Sequence, residues 1–157
     1  MNMKKTIAAV LAIIMCLAAF TGCNEKKEPV SVSTVFEKMI SDVTFPAGMM
    51  KMDAEYTENQ FGFNMDDFEE FVFAKSEDLL LAEFILIFKV KDEKNADAVK
   101  TKLDKFLSEQ TTVFASYVPE QEAVLKKAVV EKRGNIVFLL SSEKVSELKK
   151  IADEYIK

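Results

Sequence analysis

Histidine and tryptophan are absent from this chain of 157 residues, and cysteine occurs only as Cys16 and Cys23. A Ser-His-Asp triad, a histidine-ligated zinc site and a histidine pH switch are therefore excluded. No cysteine follows Cys23, so the main part of the chain has no disulfide, no thiolate metal site and no cysteine nucleophile. These absences exclude much of enzyme chemistry, and we expect no enzymatic activity, no metal site and no cofactor.

Glycine and basic charge are also scarce. The four glycines are scattered along the chain, which excludes a glycine-rich loop that binds phosphate. Acidic residues outnumber basic residues by 26 to 21, which gives a net charge of −5 at pH 7. Nucleic acids and anionic membrane surfaces repel a protein of this charge, so we expect no nucleic-acid partner.

The first 23 residues have the organisation of a secretory signal. Lys4 and Lys5 precede an uncharged apolar run, Thr6–Phe20. This run is shorter than the ~20 residues that a membrane-spanning helix needs, although an uncleaved membrane anchor is the competing interpretation. The end of the segment, Gly22 followed by Cys23, resembles the lipobox of bacterial lipoproteins. The resemblance implies cleavage between these two residues and acylation of Cys23, so that lipid attaches the protein to the membrane.

The sequence divides into three parts. Residues 1–22 form the predicted lipoprotein signal peptide, and residues 23–30 form the lipidated cysteine with a flexible polar tether. Residues 31–157 form a single extracytoplasmic domain, long enough to bury a sizeable core. We therefore expect an acylated protein at the outer face of the cytoplasmic membrane.

Alternating and β-rich runs predict four strands. Glu70–Ala74 is short and aromatic, whereas Leu80–Lys91 has one wholly apolar face and a second face that is apolar only in the middle. A strand of the second kind is typical of the centre of a sheet. Residues 128–132 and 136–140 flank Gly134–Asn135, which indicates a hairpin.

Apolar residues at three- and four-residue spacing predict helices at Val32–Val43, between Asp92 and Pro119, and after Ser142. The order of elements is helix, two strands, long helix, hairpin and helix. This order predicts an α+β fold, with an antiparallel sheet of about four strands and with the long helix and flanking helices packed mainly on one face.

The same segments carry a family resemblance. Leu81–Asp92 precedes the long helix, Tyr117–Gln121 reads Tyr-Val-Pro-Glu-Gln, and the hairpin turn Arg133–Asn135 follows. This succession, over roughly residues 32–140, resembles the clostridial and related Firmicutes lipoproteins catalogued as domain of unknown function 4358. The resemblance implies a membrane-anchored extracytoplasmic domain, and it implies no reaction and no catalytic residues.

Four residues are candidates for an interaction surface. Phe61 and Phe63 lie in a series of aromatic residues that alternates with polar residues around a predicted turn. Packing in the core and an exposed docking patch both explain such a series. Tyr117 and Pro119 similarly form either a helix stop or part of a recognition surface.

The sequence also contains residues that could form two kinds of metal site. The acidic residues near Asp53 and near Asp66 could bind calcium or magnesium, but no EF-hand spacing is present, and solvated surface charge explains them better. The methionines of Met49–Met52 could bind Cu(I), but methionine is also a usual filler of cores.

These observations lead to three hypotheses about function. The leading one is a non-enzymatic interaction or binding domain that presents one face to an envelope protein or to the cell wall. The alternative is a lipoprotein that binds a small solute or a peptide in a concave pocket. The least favoured is an envelope hydrolase that uses two carboxylates.

Overall fold

The computed structural model describes residues 31–157. In chain order the elements are α1 Val32–Asp42, β1 Met49–Lys51, α2 Ala54–Phe61, β2 Phe68–Ser76, β3 Phe84–Val90, α3 Ala96–Tyr117, α4 Pro119–Leu125, β4 Val129–Arg133, β5 Ile136–Ser141 and α5 Val145–Tyr155. Short 3₁₀ turns, Met65–Asp67 and Glu93–Asn95, precede β2 and α3. The predicted signal peptide and tether lie outside the described residues.

The five strands form one antiparallel sheet in the order β1-β2-β3-β5-β4. Strand β3 lies at the centre, where Phe88 is opposite Phe71 of β2 and Val137 of β5. Its central position agrees with the two apolar faces that its sequence pattern indicates. The predicted hairpin is also present, because the chain turns at Gly134 with φ +55° and joins β4 to β5.

One face of the sheet, called the first core, packs against α2, α3 and α4. Phe73 and Phe88 project from the sheet, and Leu103 and Phe106 of α3 pack against this face. Phe73 and Phe106 meet edge to face with ring centroids 5.9 Å apart. The spacing of apolar residues along α3 therefore gives the longest helix one continuous buried stripe.

The opposite face, called the second core, packs against α1 and α5. Ile85, Ile87 and Phe138 are fully buried in the sheet, beneath Met39 of α1 and Leu148 of α5. The sheet is thus covered on both faces by helices that come from different parts of the chain.

The predicted α+β class is confirmed, and two details differ from the prediction. The sheet has five strands rather than about four, because Met49–Lys51 forms a short edge strand against the end of β2. The helices cover both faces rather than mainly one. The physical reason is that β3 and β5 bring a second apolar surface, which includes Ile85 and Phe138 and which would otherwise face water.

The sheet has two distinct ends. The chain enters the described structure at one of them, where Ser31 caps α1 and lies beside Glu70 at the start of β2. We call this the entry end. The opposite end, which we call the tip, carries the loop between β2 and β3 and the turn between β5 and α5.

Glu70 fixes the entry point. Its carboxylate accepts hydrogen bonds from the Ser31 hydroxyl at 2.9 Å, the Val32 amide at 2.8 Å and the Ser33 amide at 2.9 Å. Partial burial acts to raise the pKa of Glu70, but these hydrogen bonds outweigh burial and hold the pKa below its usual value. The folded state therefore gains stability from ionised Glu70.

We expect Glu70→Gln to lower the free energy of unfolding by about 1–3 kcal/mol at pH 7, since it weakens hydrogen bonds to a charged group. A carboxyl group whose pKa is lowered stabilises the fold above its unfolded pKa, and this contribution is lost as pH falls through the folded pKa. Urea unfolding should therefore show a smaller difference from the wild type at pH 3 than at pH 7. Exposed Glu37→Gln is the control, and equal stability of the two variants at pH 7 would contradict the role of Glu70.

Candidate interaction surface at the tip

The loop between β2 and β3 exposes two adjacent leucines. Leu79 is 72% exposed and Leu80 is 62% exposed. Two local hydrogen bonds shape the loop: the Ser76 hydroxyl accepts from the Asp78 amide at 3.1 Å, and the Asp78 carboxylate accepts from the Leu80 amide at 2.9 Å. Such a turn holds the backbone by its own polar side chains and leaves the leucines in solvent.

Both backbone groups of Ala82 hold the end of this loop against the rest of the tip. Its amide donates to the Gln121 side chain of α4 at 2.9 Å, and its carbonyl accepts from the Ser141 hydroxyl at 2.7 Å. The loop is therefore adjacent to the start of α4 and, through it, to the end of α3, where Tyr117 is 83% exposed.

A shallow groove of about 100 Å³ continues this surface. Its lining includes Leu79 and Leu81 of the loop and Gln110 and Phe114 of α3. We define the tip surface as this groove together with the exposed side chains of Leu80 and Tyr117 and of Val113 on α3. At this surface, exposed large apolar side chains come from two neighbouring elements.

The residues predicted from the sequence fall into different environments. Tyr117 and Pro119 are exposed at the junction of α3 and α4, as an interaction surface requires. Phe61 and Phe63 are only 9% and 7% exposed, and their stacked rings lie 5.1 Å apart in the first core. They are corrected from candidate surface residues to core residues, because α2 turns their side chains toward β2, β3 and α3. The predicted lipidation and cleavage residues, Cys23 and Gly22, lie outside the described residues.

Leu79 and Leu80 are not among the surface residues predicted from the sequence, because Leu80 falls within the predicted strand Leu80–Lys91. One signal was available: two consecutive leucines cannot both lie on the buried face of a strand, and Asp78 directly before them is typical of a turn.

A buried carboxyl group lies at the same end of the sheet. Glu83 is 2% exposed, and its Oε2 has no hydrogen-bond partner among residues 31–157. Burial raises the pKa of Glu83, while the Ser142 hydroxyl and the Glu143 amide oppose this effect and the Glu143 carboxylate adds to it. The sequence pattern placed Glu83 on the second face of its strand but did not show that this position is buried.

Polar side chains form a row across the sheet at this position. The Ser76 amide donates to the Glu83 carbonyl at 3.0 Å. Ser142 lies one position beyond the paired residues Phe84 and Ser141. Because side chains alternate along strands, Ser76, Glu83 and Ser142 share the face of the second core. This row closes the second core at the tip, just before α5 begins.

The structure does not bring together the residues of the calcium, magnesium or copper sites that the sequence suggested. Within residues 31–157, no three acidic, histidine or cysteine side chains are arranged to hold a metal ion. The carboxylate of Asp53 instead caps α2 by accepting from the Tyr56 amide at 2.8 Å. Met49 packs against the second core and Met52 against the first, so their sulfur atoms do not converge.

Two further grooves lie beside α3. One of about 260 Å³ is lined in part by Gln60, Lys102 and Glu109, and one of about 190 Å³ by Phe63 and Asn95, among others. Both are smaller than the ~300–1,000 Å³ usual for small-molecule pockets. No helix within residues 31–157 combines the length and apolar character needed to cross a membrane.

The geometry defines a class: an α+β domain whose antiparallel sheet is covered by helices on both faces and whose tip exposes apolar side chains. Comparison with known families is more specific. The chain belongs to the family DUF4358, described as a domain of unknown function, whose model matches residues 41–142. This range includes the whole tip loop and Glu83. No curated protein and no solved structure matches the chain.

We expect the double substitution Leu79→Ala and Leu80→Ala to leave the free energy of unfolding within about 0.5 kcal/mol of the wild type, since both side chains are exposed. Leu86→Ala is the matched control at a fully buried site and should cost about 2–5 kcal/mol. Urea unfolding measures both values. A loss above 1 kcal/mol in the double variant would show that the leucines pack within the domain.

Proposed function

We propose that this protein is a lipid-anchored extracytoplasmic lipoprotein that binds a protein partner of the cell envelope through its tip surface and catalyses no reaction. The observation that carries the proposal is the exposure of two adjacent leucines, Leu79 and Leu80, at the end of the sheet opposite the entry point. Exposed apolar side chains of this size are costly in water unless a partner covers them.

The position of the proposed lipid anchor favours an orientation in which the tip surface points away from the membrane. The proposed lipid on Cys23 is followed by the seven residues 24–30, and the eight peptide steps from Cys23 to Ser31 reach at most about 29 Å. The tether joins the domain at Ser31, at the entry end. Strand β2, nine residues long, places the tip about 25–30 Å farther away. An anchor at the entry end thus favours a tip that points away from the lipid.

Charge favours a protein partner over a bilayer or an anionic wall polymer. Glu77, Asp78, Glu120 and Glu143 are exposed around the tip surface, and none takes part in an ion pair among the described residues. These carboxylates repel anionic surfaces. A protein that offers an apolar pocket with basic residues at its rim complements both the leucines and the carboxylates.

The two other hypotheses have less support. For binding of a solute, the three grooves described above are each smaller than the ~300–1,000 Å³ usual for small-molecule pockets. For a hydrolase, Glu83 beside Glu143 is a candidate carboxylate pair, but Glu83 is 2% exposed and lines none of the three grooves described above. A substrate would have no access to it.

The anchor is tested by Cys23→Ser. We expect the variant to lack acyl chains and to be either uncleaved or released from the membrane, because acylation and cleavage both require the cysteine. Mass spectrometry of the N-terminus and fractionation of cells measure these outcomes. Normal processing and normal membrane attachment of the variant would contradict the lipoprotein assignment.

The binding surface is tested by site-specific photo-crosslinking in cells. A photoreactive residue in place of Leu80 should form a crosslink with one protein, whereas the same residue in place of Glu93, at the entry end, should not. The purified partner should then bind the full chain, and Leu79→Asp should weaken this binding at least tenfold, since it puts a charge into an apolar contact.

Crosslinks from position 80 to lipid or to wall fragments would contradict a protein partner. A failure of Leu79→Asp to weaken binding would contradict the role of the tip surface.

A further inference from the structure

Among the buried residues of the described range 31–157, Glu83 is the one with an ionisable side chain. The other buried residues with polar side chains are uncharged: Thr57, Ser76, Ser141 and Ser142. A buried carboxylate is costly unless it is paired or fully hydrogen-bonded. The carboxyl oxygen Oε2 of Glu83 has no such partner in the described part of the chain. A group of this kind calls for a physical explanation.

The surroundings of Glu83 favour its neutral form. Strand β2 contributes the uncharged Ser76, and Ser142 follows β5. The charged group that acts on Glu83 is the carboxylate of Glu143, in the turn before α5, and it has the same sign. The nearby amine of Lys144 is paired with Glu147 at 3.5 Å. Among the described residues, no cation compensates for an ionised Glu83.

Hydration of Oε2 would favour ionisation of Glu83, but in the closed tip the residue is only 2% exposed to solvent. Glu83 directly follows the loop that displays the leucines, and its backbone carbonyl accepts from Ser76 at the other end of the same loop. Separation of the loop from the β5–α5 turn would hydrate the carboxylate. The same movement would displace Leu79 and Leu80, so the charge of Glu83 and the shape of the tip surface are physically linked.

We propose that Glu83 is a protonation-dependent latch: in its neutral form it keeps the Glu77–Ala82 loop closed on the sheet, and its ionisation favours an open tip. The role of the latch in partner binding rests on the proposed function. The latch itself is a property of the chain alone and is tested without a partner.

The direction of the pH effect follows from linkage. In the closed state burial raises the pKa of Glu83, and in the open state the pKa returns to its usual value. The closed state therefore binds the proton more tightly, and the equilibrium constant for opening rises with pH. The equilibrium constant for opening rises by up to tenfold per pH unit between the usual pKa and the raised pKa of Glu83. Above the raised pKa it no longer depends on pH.

Hydrogen–deuterium exchange of the full chain in detergent measures this opening. Labelling times are scaled to cancel the intrinsic pH dependence of exchange, from pH 4 to pH 8. In the wild type, the amides of residues 76–84 should become at least threefold less protected as pH rises. Peptides from the centre of α3 report global unfolding and should stay better protected than residues 76–84 at every pH, which would show that the tip opens without unfolding of the domain.

Two variants complete the experiment. Glu83→Gln, which is neutral at every pH, should show no pH dependence in residues 76–84, whereas the exposed control Glu37→Gln should behave as the wild type. A flat wild-type profile, or an equal slope in Glu83→Gln, would overturn the latch. Should Glu83→Gln not fold, Glu143→Gln serves instead. Removal of the Glu143 carboxylate lowers the pKa of Glu83 in the closed state, so the loss of protection in residues 76–84 should level off at a lower pH. An unchanged profile in Glu143→Gln would then overturn the proposal.

The experiments test the proposed function and the Glu83 latch independently. A flat exchange profile removes the latch and leaves the crosslinking result untouched. Absence of a crosslinked protein removes the proposed function, while a pH-dependent tip would still establish the latch.

Discussion

The burial of β3 on both faces is the constraint on which the rest of the structure depends. All seven residues of Phe84–Val90 pair with β2 on one side, β5 pairs with most of them on the other, and apolar side chains project to both faces. Such a strand is stable only when both faces are covered. Helix α3 packs against the sheet in the first core, and α1 and α5 pack against it in the second core. Elements that are distant in sequence therefore meet at one sheet. Where β3 begins, this cover ends, and the tip surface and Glu83 occupy that boundary.

Local signals were sufficient to predict much of this fold. The alternation in Leu80–Lys91 indicated a central strand, Gly134–Asn135 indicated the hairpin, and Pro119 marked the end of the long helix. The edge strand Met49–Lys51 could not be predicted, because three residues carry too little pattern. The side of the sheet on which α1 packs depends on cross-strand neighbours that sequence periodicity does not contain.

The candidate site was harder to predict, because exposure is a property of the assembled fold. Phe61 and Leu80 are both apolar residues near turns, yet the first is buried under α3 and the second protrudes into solvent. What separates them is the way Asp78 and Ala82 hold the tip loop. Glu83 was visible in the alternation pattern, but its burial requires the residues that flank it from β2 and β5.

The central claim is that the tip points away from the membrane to which, as we propose, lipid on Cys23 anchors the chain. The chain after Cys23 has no cysteine, so single fluorescent labels can be introduced by Leu80→Cys at the tip or Glu93→Cys at the entry end. Energy transfer from each label to acceptor lipids is then measured with the acylated protein in phosphatidylcholine vesicles. The account predicts weaker transfer from position 80 than from position 93. Equal or stronger transfer from position 80 would place the leucines at the lipid surface and contradict it.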